Sequence, residues 1–284
     1  MTAESVKNRV CVVTGGNAGI GKAIVQTLAV QQAQVVLVSR DKAKGETAVQ
    51  DICQSVPNAH VELVVGNLGT IATTRQLAHT LLERYPAIHV LVNNAGIWPT
   101  KKQINADGLE QSFMVNHLAP FMLNQLLFER LKASAPARIV NVSAGLYVNG
   151  RVDLNKTPYG HDFHPIRTYA STKLCSMLCF PLEAAQLAGS GVTLNAVHPG
   201  VINTRLGDMR GPLGWLMKLV KRSWATPEQG AVAPVWLATA PELTIAHGQY
   251  FNEKEPIPLA EVAQNTRLAQ QLWQLSTSLA QLTM

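Results

Sequence analysis

The sequence predicts a single doubly wound α/β domain with a parallel central sheet, on three observations. Short β-branched runs alternate with helical periods along all 284 residues, without a linker or an internal repeat. The first of these runs passes directly into a glycine-rich turn and then a helix, the order a phosphate-binding βα unit requires. Hydrophobic residues make up 47% of the chain and charged residues only 15%, which suits one large buried core.

Residues 9–14, Arg-Val-Cys-Val-Val-Thr, read as a strand buried on both faces because the apolar run does not alternate. Gly15-Gly16-Asn17-Ala18-Gly19-Ile20-Gly21 follows. Its glycines permit a tight turn and let backbone N–H groups approach a pyrophosphate at the N-terminus of a helix over 20–30. A second strand over 34–39 ends about twenty residues past that turn, where a dinucleotide's adenosine ribose lies. An acidic residue there would bind the 2′-hydroxyl of NAD. This chain has Ser39-Arg40 instead, with Asp41 only after the arginine, so NADP(H) is expected in preference to NAD(H). Residues 41–56 alternate as an amphipathic helix, and 60–65 form a third strand followed by Asn67-Leu68. Residues 70–85 form a helix capped at Thr70 and closed before Pro86. A fourth strand over 88–92 leads into Asn93-Asn94-Ala95-Gly96, small and amide residues that either a close ligand or a fixed turn would need. A long helix over 109–131, a strand over 138–143 ending on Ser143, and a Gly- and Pro-rich loop over 144–166 come next. A helix over 167–187 and a strand over 192–197, closed by His198-Pro199-Gly200, complete the alternation.

Tyr169 and Lys173 lie four residues apart in the helix over 167–187 and therefore share a face. A fixed ammonium beside a phenol stabilises the phenolate, which would bring the tyrosine toward the range where it exchanges protons at neutral pH. The histidines, among them His117, His161, His164 and His198, lack metal-ligand spacing, and no metal site is expected.

The 24 Lys and Arg against 18 Asp and Glu give a formal charge of +6, scattered along the chain and without a nucleic-acid motif, which favours an anionic cofactor as its reason. Cys11, Cys53, Cys175 and Cys179 form no disulfide or metal pattern, so a reducing, cytoplasmic location is expected. No uninterrupted apolar run is long enough to span a bilayer.

Thr14-Gly15 with Gly19 and Gly21, Asn93-Asn94-Ala95-Gly96, Ser143, Tyr169 with Lys173, and Pro199-Gly200 with Thr204 together resemble the short-chain dehydrogenases/reductases, over nearly the full length. Val115-Asn116-His117-Leu118, Gly150 to Leu154, His198 to Val201, Glu228 to Ala231 and His247 to Phe251 make the chain most similar to the retinol dehydrogenase-like, NADP(H)-dependent group. The resemblance implies a Rossmann fold of about seven strands in the order 3-2-1-4-5-6-7. It implies cofactor contacts from Gly15, Asn17, Ala18, Gly19, Ile20, Gly21, Ser39, Arg40, Asn67, Leu68, Asn94, Ala95 and Gly96, and again from Tyr169, Lys173, Pro199, Gly200, Val201 and Thr204. Ser143 would hydrogen-bond the substrate oxygen, Tyr169 would give or take its proton, and Lys173 would hold the nicotinamide ribose. Asn116 would fix a water that joins Lys173 to solvent. Asn67 stands where the family usually has Asp, Tyr169 is followed by Ala-Ser-Thr, and the hydrophobic N-terminal anchor of many animal members is missing.

The segment 201–226 would form the substrate lid. Leu213, Leu216, Met217, Val220 and Trp224 follow helical spacing opposite Lys218, Lys221 and Arg222, a pattern that fits a lid over a lipophilic substrate, a helix on an anionic membrane surface, or ordinary packing. Trp98, Leu146 and Tyr147 could add apolar walls. A last helix is expected over 258–282. The leading reading is interconversion of a hydrophobic aldehyde or ketone, retinaldehyde-like or otherwise, with its alcohol. A ketoreductase of secondary metabolism uses the same residues, and a non-catalytic NADP(H) sensor or scaffold is the alternative of another class. Oligomeric state and peripheral membrane contact stay open.

Overall fold

The computed structural model of the chain describes residues 6–202 and 225–282. One sheet contains β1 Val10–Thr14, β2 Gln34–Ser39, β3 His60–Val65, β4 Val90–Asn93, β5 Ala137–Val142, β6 Val192–His198, β7 Tyr250–Asn252 and β8 Glu255–Ile257. Their spatial order is β3-β2-β1-β4-β5-β6-β7-β8. The first seven pair in parallel, in the order expected. The eighth strand is an addition to the sequence reading. β7 turns back through Glu253, whose φ of +54° closes the hairpin, and β8 pairs antiparallel at the sheet edge. Glu255 and Pro256 carry no strand signal, and an edge position is where a proline that cannot donate to the ladder is tolerated.

Helices cover both faces, as parallel strands require. On one face, α1 Gly19–Val30, α2 Lys42–Ser55 and α8 Pro227–Thr239 bury Ile24, Leu28, Ile52 and Leu237 against β1, β2 and Phe251. On the other, α3 Ile71–Arg84, α5 Ala119–Leu126, α7 Pro165–Leu187 and α9 Thr266–Leu279 bury Leu81, Phe121, Leu178 and Leu272 against Leu91, Ile139 and Leu194. Strand order reverses between β1 and β4, so the crossovers on either side leave a crevice beyond the strand ends Thr14 and Asn93.

Three helices differ from expectation. The helix over 109–131 is divided into α4 Gln111–Phe113, a π-helical turn Met114–Leu118, α5, and α6 Phe128–Ala133. The Cβ pattern of the segment hides this break, because every residue of the π turn is buried. α7 starts at Pro165, whose fixed φ suits a first turn, and His164 Nδ1 accepts from Arg167 N at 3.4 Å as its cap. The last helix begins at Thr266 instead of 258. A 3-10 turn Glu261–Ala263 precedes it, and the Asn265 side chain caps it by accepting from Leu268 N at 3.0 Å. Ile202 and Ala225 pair as a parallel bridge, and α8 opens on a capping box between Thr226 and Gln229.

Candidate active site

The strand ends border a cleft of about 1130 Å³ that runs from Arg40 and Lys44 at one end to Ser143, Tyr169 and Lys173 at the other. Its middle is the glycine turn. Gly15 and Gly19 have φ of +67° and +54°, and a Cβ at Gly21 would stand 2.2 Å from the Gly15 oxygen and 2.4 Å from Asn94 Nδ2. Position 21 therefore admits glycine alone. Ala18 occupies the N-cap of α1 without a side-chain cap, which leaves first-turn N–H groups available to an anion. Gly15, Asn17, Ala18, Gly19, Ile20 and Gly21 all border the cleft, as do Ala95 and Gly96. Asn94, also on the border, ties the two halves together: its Nδ2 donates to the Thr14 oxygen at 2.9 Å, and Thr14 Oγ1 accepts from the N–H groups of Asn94 and Ala95, both at 3.1 Å.

Arg40, Asp41, Lys44, Asn67 and Leu68 line one end. Asp41 caps α2, accepting from Lys44 N at 3.1 Å, and its carboxylate sits 3.0 Å from Lys44 Nζ. These hydrogen bonds hold the Asp41 carboxyl below its ordinary range. Arg40 is exposed and pairs with no described acidic residue. Ser39 is buried and bonded back to the Asp41 backbone at 2.9 Å, so its hydroxyl lies behind the cleft wall and not in it.

At the other end, β5 and α7 bring the predicted catalytic residues together. Lys173 Nζ donates to the Val142 oxygen at 2.9 Å. Ser143 N donates to the Val197 oxygen at 2.7 Å, while Ser143 Oγ rests 3.2 Å from Met177 Sδ, an acceptor weak enough to be exchanged for a carbonyl oxygen. Asn116, in the π turn, accepts from Ile97 N at 2.8 Å and donates to the Ile97 oxygen at 2.9 Å and to Thr172 Oγ1 at 3.1 Å. Its amide thus pins the turn after β4 onto α7. Trp98 stacks on Tyr169, with ring centroids 4.5 Å apart and planes within 7°, and its Nε1 donates to the Pro165 oxygen at 2.7 Å.

Burial pushes Lys173 down to about 8. It pushes the Tyr169 phenol well above its usual value, the reverse of the direction read from the Tyr–Lys spacing, because exclusion of water disfavours the phenolate. A second correction concerns Tyr147. It is 2% exposed, its hydroxyl accepts from Ala260 N at 2.9 Å, and its ring packs edge-on against Tyr250. It belongs to the core, and Leu146 beside it also lies off the cleft border. Pro199 and Gly200 border the cleft and Val201 does not. Thr204, Leu213 and Leu216 lie outside the described residues. Lys44, Ile97, His198 and Ile202 border the cleft without having been singled out for it; Lys44, one helical turn past Arg40, carried a readable signal, whereas Ile202 carried none.

The family model for short chain dehydrogenases matches residues 9–212. The chain belongs to that family. This short-chain dehydrogenase is 35% identical to human retinol dehydrogenase 13 across 97% of its own length and 85% of the relative's. It is also 35% identical to bovine dehydrogenase/reductase SDR family member 13, across 97% and 74% of the two chains. Among solved structures, an uncharacterised protein of Mycobacterium paratuberculosis superposes with a TM-score of 0.79 at 26% identity, covering 99% of this chain and 97% of that one. A Beutenbergia cavernae protein solved with NADP at low occupancy superposes at 0.71, also with 26% identity, over 87% and 96%. Among the described residues of the short-chain dehydrogenase, no helix is long and apolar enough to cross a membrane.

Proposed function

We propose that this short-chain dehydrogenase uses NADP(H) to interconvert a hydrophobic aldehyde or ketone with its alcohol. The observation that carries the reading is the meeting, in one cleft, of an uncapped helix N-terminus and a cationic end with Ser143, Tyr169 and Lys173. The open amides of α1, and a turn in which residue 21 must lack a Cβ, fit a pyrophosphate. Arg40 and Lys44 would hold a 2′-phosphate, with Asp41 already engaged by Lys44. Lys173 would hold the nicotinamide ribose. The bound cofactor supplies or accepts the hydride.

Ser143 leaves its thioether contact to hydrogen-bond the substrate oxygen as negative charge develops there. Tyr169 delivers its proton to that oxygen during reduction and removes it during oxidation. A phenol held high by burial keeps its proton until an alkoxide forms, which suits the donor role. The ammonium of Lys173 then stabilises the phenolate. The names of the retinol dehydrogenase relatives favour a lipophilic substrate, and Ile97 on the cleft border with Trp98 beside it offers apolar surface next to Tyr169.

The test is NADPH oxidation by the purified protein against carbonyls from small aldehydes through retinaldehyde to polycyclic ketones, with Tyr169→Phe as control. Turnover that drops by about 10²–10⁴-fold in the variant is expected. Saturable NADPH binding without turnover on any carbonyl or alcohol would instead favour a sensing role.

A further inference from the structure

We propose that Glu183 is a buried counter-charge for Lys173 that sets the upper pH limit of the Tyr169–Lys173 pair, through a small chamber that both residues border on the inner side of the site. The role in catalysis rests on the oxidoreductase reading above; the electrostatic coupling does not.

The chamber lies below the cleft and measures about 20 Å³, enough for a single water. Lys173, Ser143 and Glu183 all border it, together with Asn93, Asn141 and Ser176. A chain of amides leads inward from the site. Asn124 Nδ2 donates to Glu183 Oε2 at 2.5 Å, and Asn93 Nδ2 donates to Asn124 Oδ1 at 2.8 Å and to Asn141 Oδ1 at 2.9 Å. Asn93 Oδ1 is buried and has no partner among the described residues, so a water in the chamber would complete the link. β4, β5 and α5 thus each contribute an asparagine to a chain that starts at the Glu183 carboxyl and ends at Asn141, next in sequence to Val142, whose oxygen accepts from Lys173. Glu183 itself is 4% exposed and makes no ion pair with a described residue. A core site of this kind would be filled at lower cost by leucine, which makes a purely structural role a poor account of it.

The remaining groups packed around Glu183 do not supply its charge partner. On α7, Cys179 is held neutral because burial raises its thiol, and in the π turn burial lowers His117 to about 3. From the segment before β7, His247 accepts from Leu194 N at 3.1 Å through Nδ1 and faces the Ala184 oxygen at 2.7 Å through Nε2, so both ring nitrogens are taken up by backbone. Among the described residues, Lys173 is the one cation bordering the chamber. Burial raises Glu183 to about 8 and lowers Lys173 to about 8, so the two titrate over the same interval. Once Glu183 ionises it favours the ammonium form of Lys173. Ten helical residues separate the two by about 15 Å, a distance at which a unit charge moves the partner by roughly 0.5–1 pH unit at an effective dielectric constant near 20.

The experiment follows Lys173 by heteronuclear NMR of its Cε methylene, assigned with Lys173→Arg, through a pH titration of the cofactor-free wild type, Glu183→Gln and Glu183→Leu. The rate profile for NADPH-dependent reduction is recorded alongside. Both variants are expected to lower the Lys173 midpoint by about 0.5–1 unit and to draw the basic limb of kcat/KM down with it. Glu183→Gln keeps the acceptor that Asn124 needs, and Glu183→Leu separates loss of charge from amide chemistry. An unchanged Lys173 midpoint in either folded variant overturns the coupling. A lowered midpoint with an unmoved basic limb overturns the catalytic role. A lowered midpoint in a protein without Tyr169-dependent turnover leaves the coupling standing and removes the oxidoreductase reading.

Discussion

At the scale of single residues, the proposed choice of NADP(H) turns on Arg40. Asp41, its neighbour, is spent on capping α2 and pairing Lys44, so it is poorly placed to accept from a ribose hydroxyl. Arg40, by contrast, reaches the cleft with no described ion-pair partner. Replacing it with leucine is expected to raise the KM for NADPH about tenfold or more, the worth of a charge-assisted hydrogen bond of about 1.5–3 kcal/mol, while the KM for NADH changes little. Steady-state kinetics with both cofactors reads the ratio directly. An equal loss for both would make Arg40 a surface residue without a part in cofactor choice.

At the scale of elements, the site depends on how three helices grip one another. α7 carries Tyr169 and Lys173, the π turn carries Asn116, and α9 closes over both. The contact between the last two is polar: His117 Nε2 and Ser276 Oγ meet at 2.9 Å inside the core. Burial keeps that imidazole neutral, so the serine satisfies a ring nitrogen that water cannot reach. Ser276→Val is expected to destabilise the protein by about 1–3 kcal/mol, the usual cost of leaving a buried polar group unpaired. Urea unfolding would show this as a lower midpoint with an unchanged slope. A midpoint within error of wild type would mean that α9 docks by its apolar residues alone.

At the scale of the whole molecule, buried ionisable groups give stability a distinctive pH dependence. His117 falls from 6.5 to about 3 on folding, so the unfolded chain binds the extra proton between those values and stability rises with pH there. Glu183 rises from 4.5 to about 8, so the folded state binds the extra proton and stability falls with pH across that window. The two oppose each other up to about pH 6.5, above which Glu183 acts alone. Lys173 drops from 10.5 to about 8, so stability climbs again above that point, until about pH 9, where the buried Cys11, Cys175 and Cys179 thiols, all raised from 9.0, reverse the trend. Thermal melts of the cofactor-free protein are expected to give a lower Tm near pH 8 than near pH 6.5. Glu183→Gln is expected to remove that decline, and a monotonic rise through the same interval in wild type would show that Glu183 ionises freely in the fold.

Much of this was legible in the chain itself. Unbroken apolar runs, a cluster of four glycines over 15–21, and Tyr169 four residues from Lys173 are local patterns, and each fixes a local geometry: a buried parallel strand, a turn that passes close to a helix terminus, a shared helix face. Together they imply a parallel α/β sheet with the glycine turn at the end of its first strand, and the family resemblance supplies the strand order. The π turn at Asn116, the burial of Tyr147 against Tyr250, the hairpin that adds β8 and the amide path from Glu183 to the site have no such signature. Each depends on which residues distant in sequence meet inside the core, where packing and desolvation decide. Asn124 and Glu183 carry no motif in the sequence, and only the closing of β4, α5 and α7 on one another joins them to Asn93 in a chain. Spacing likewise places an ammonium near a phenol, but the water excluded by the folded protein decides that the phenol stays protonated.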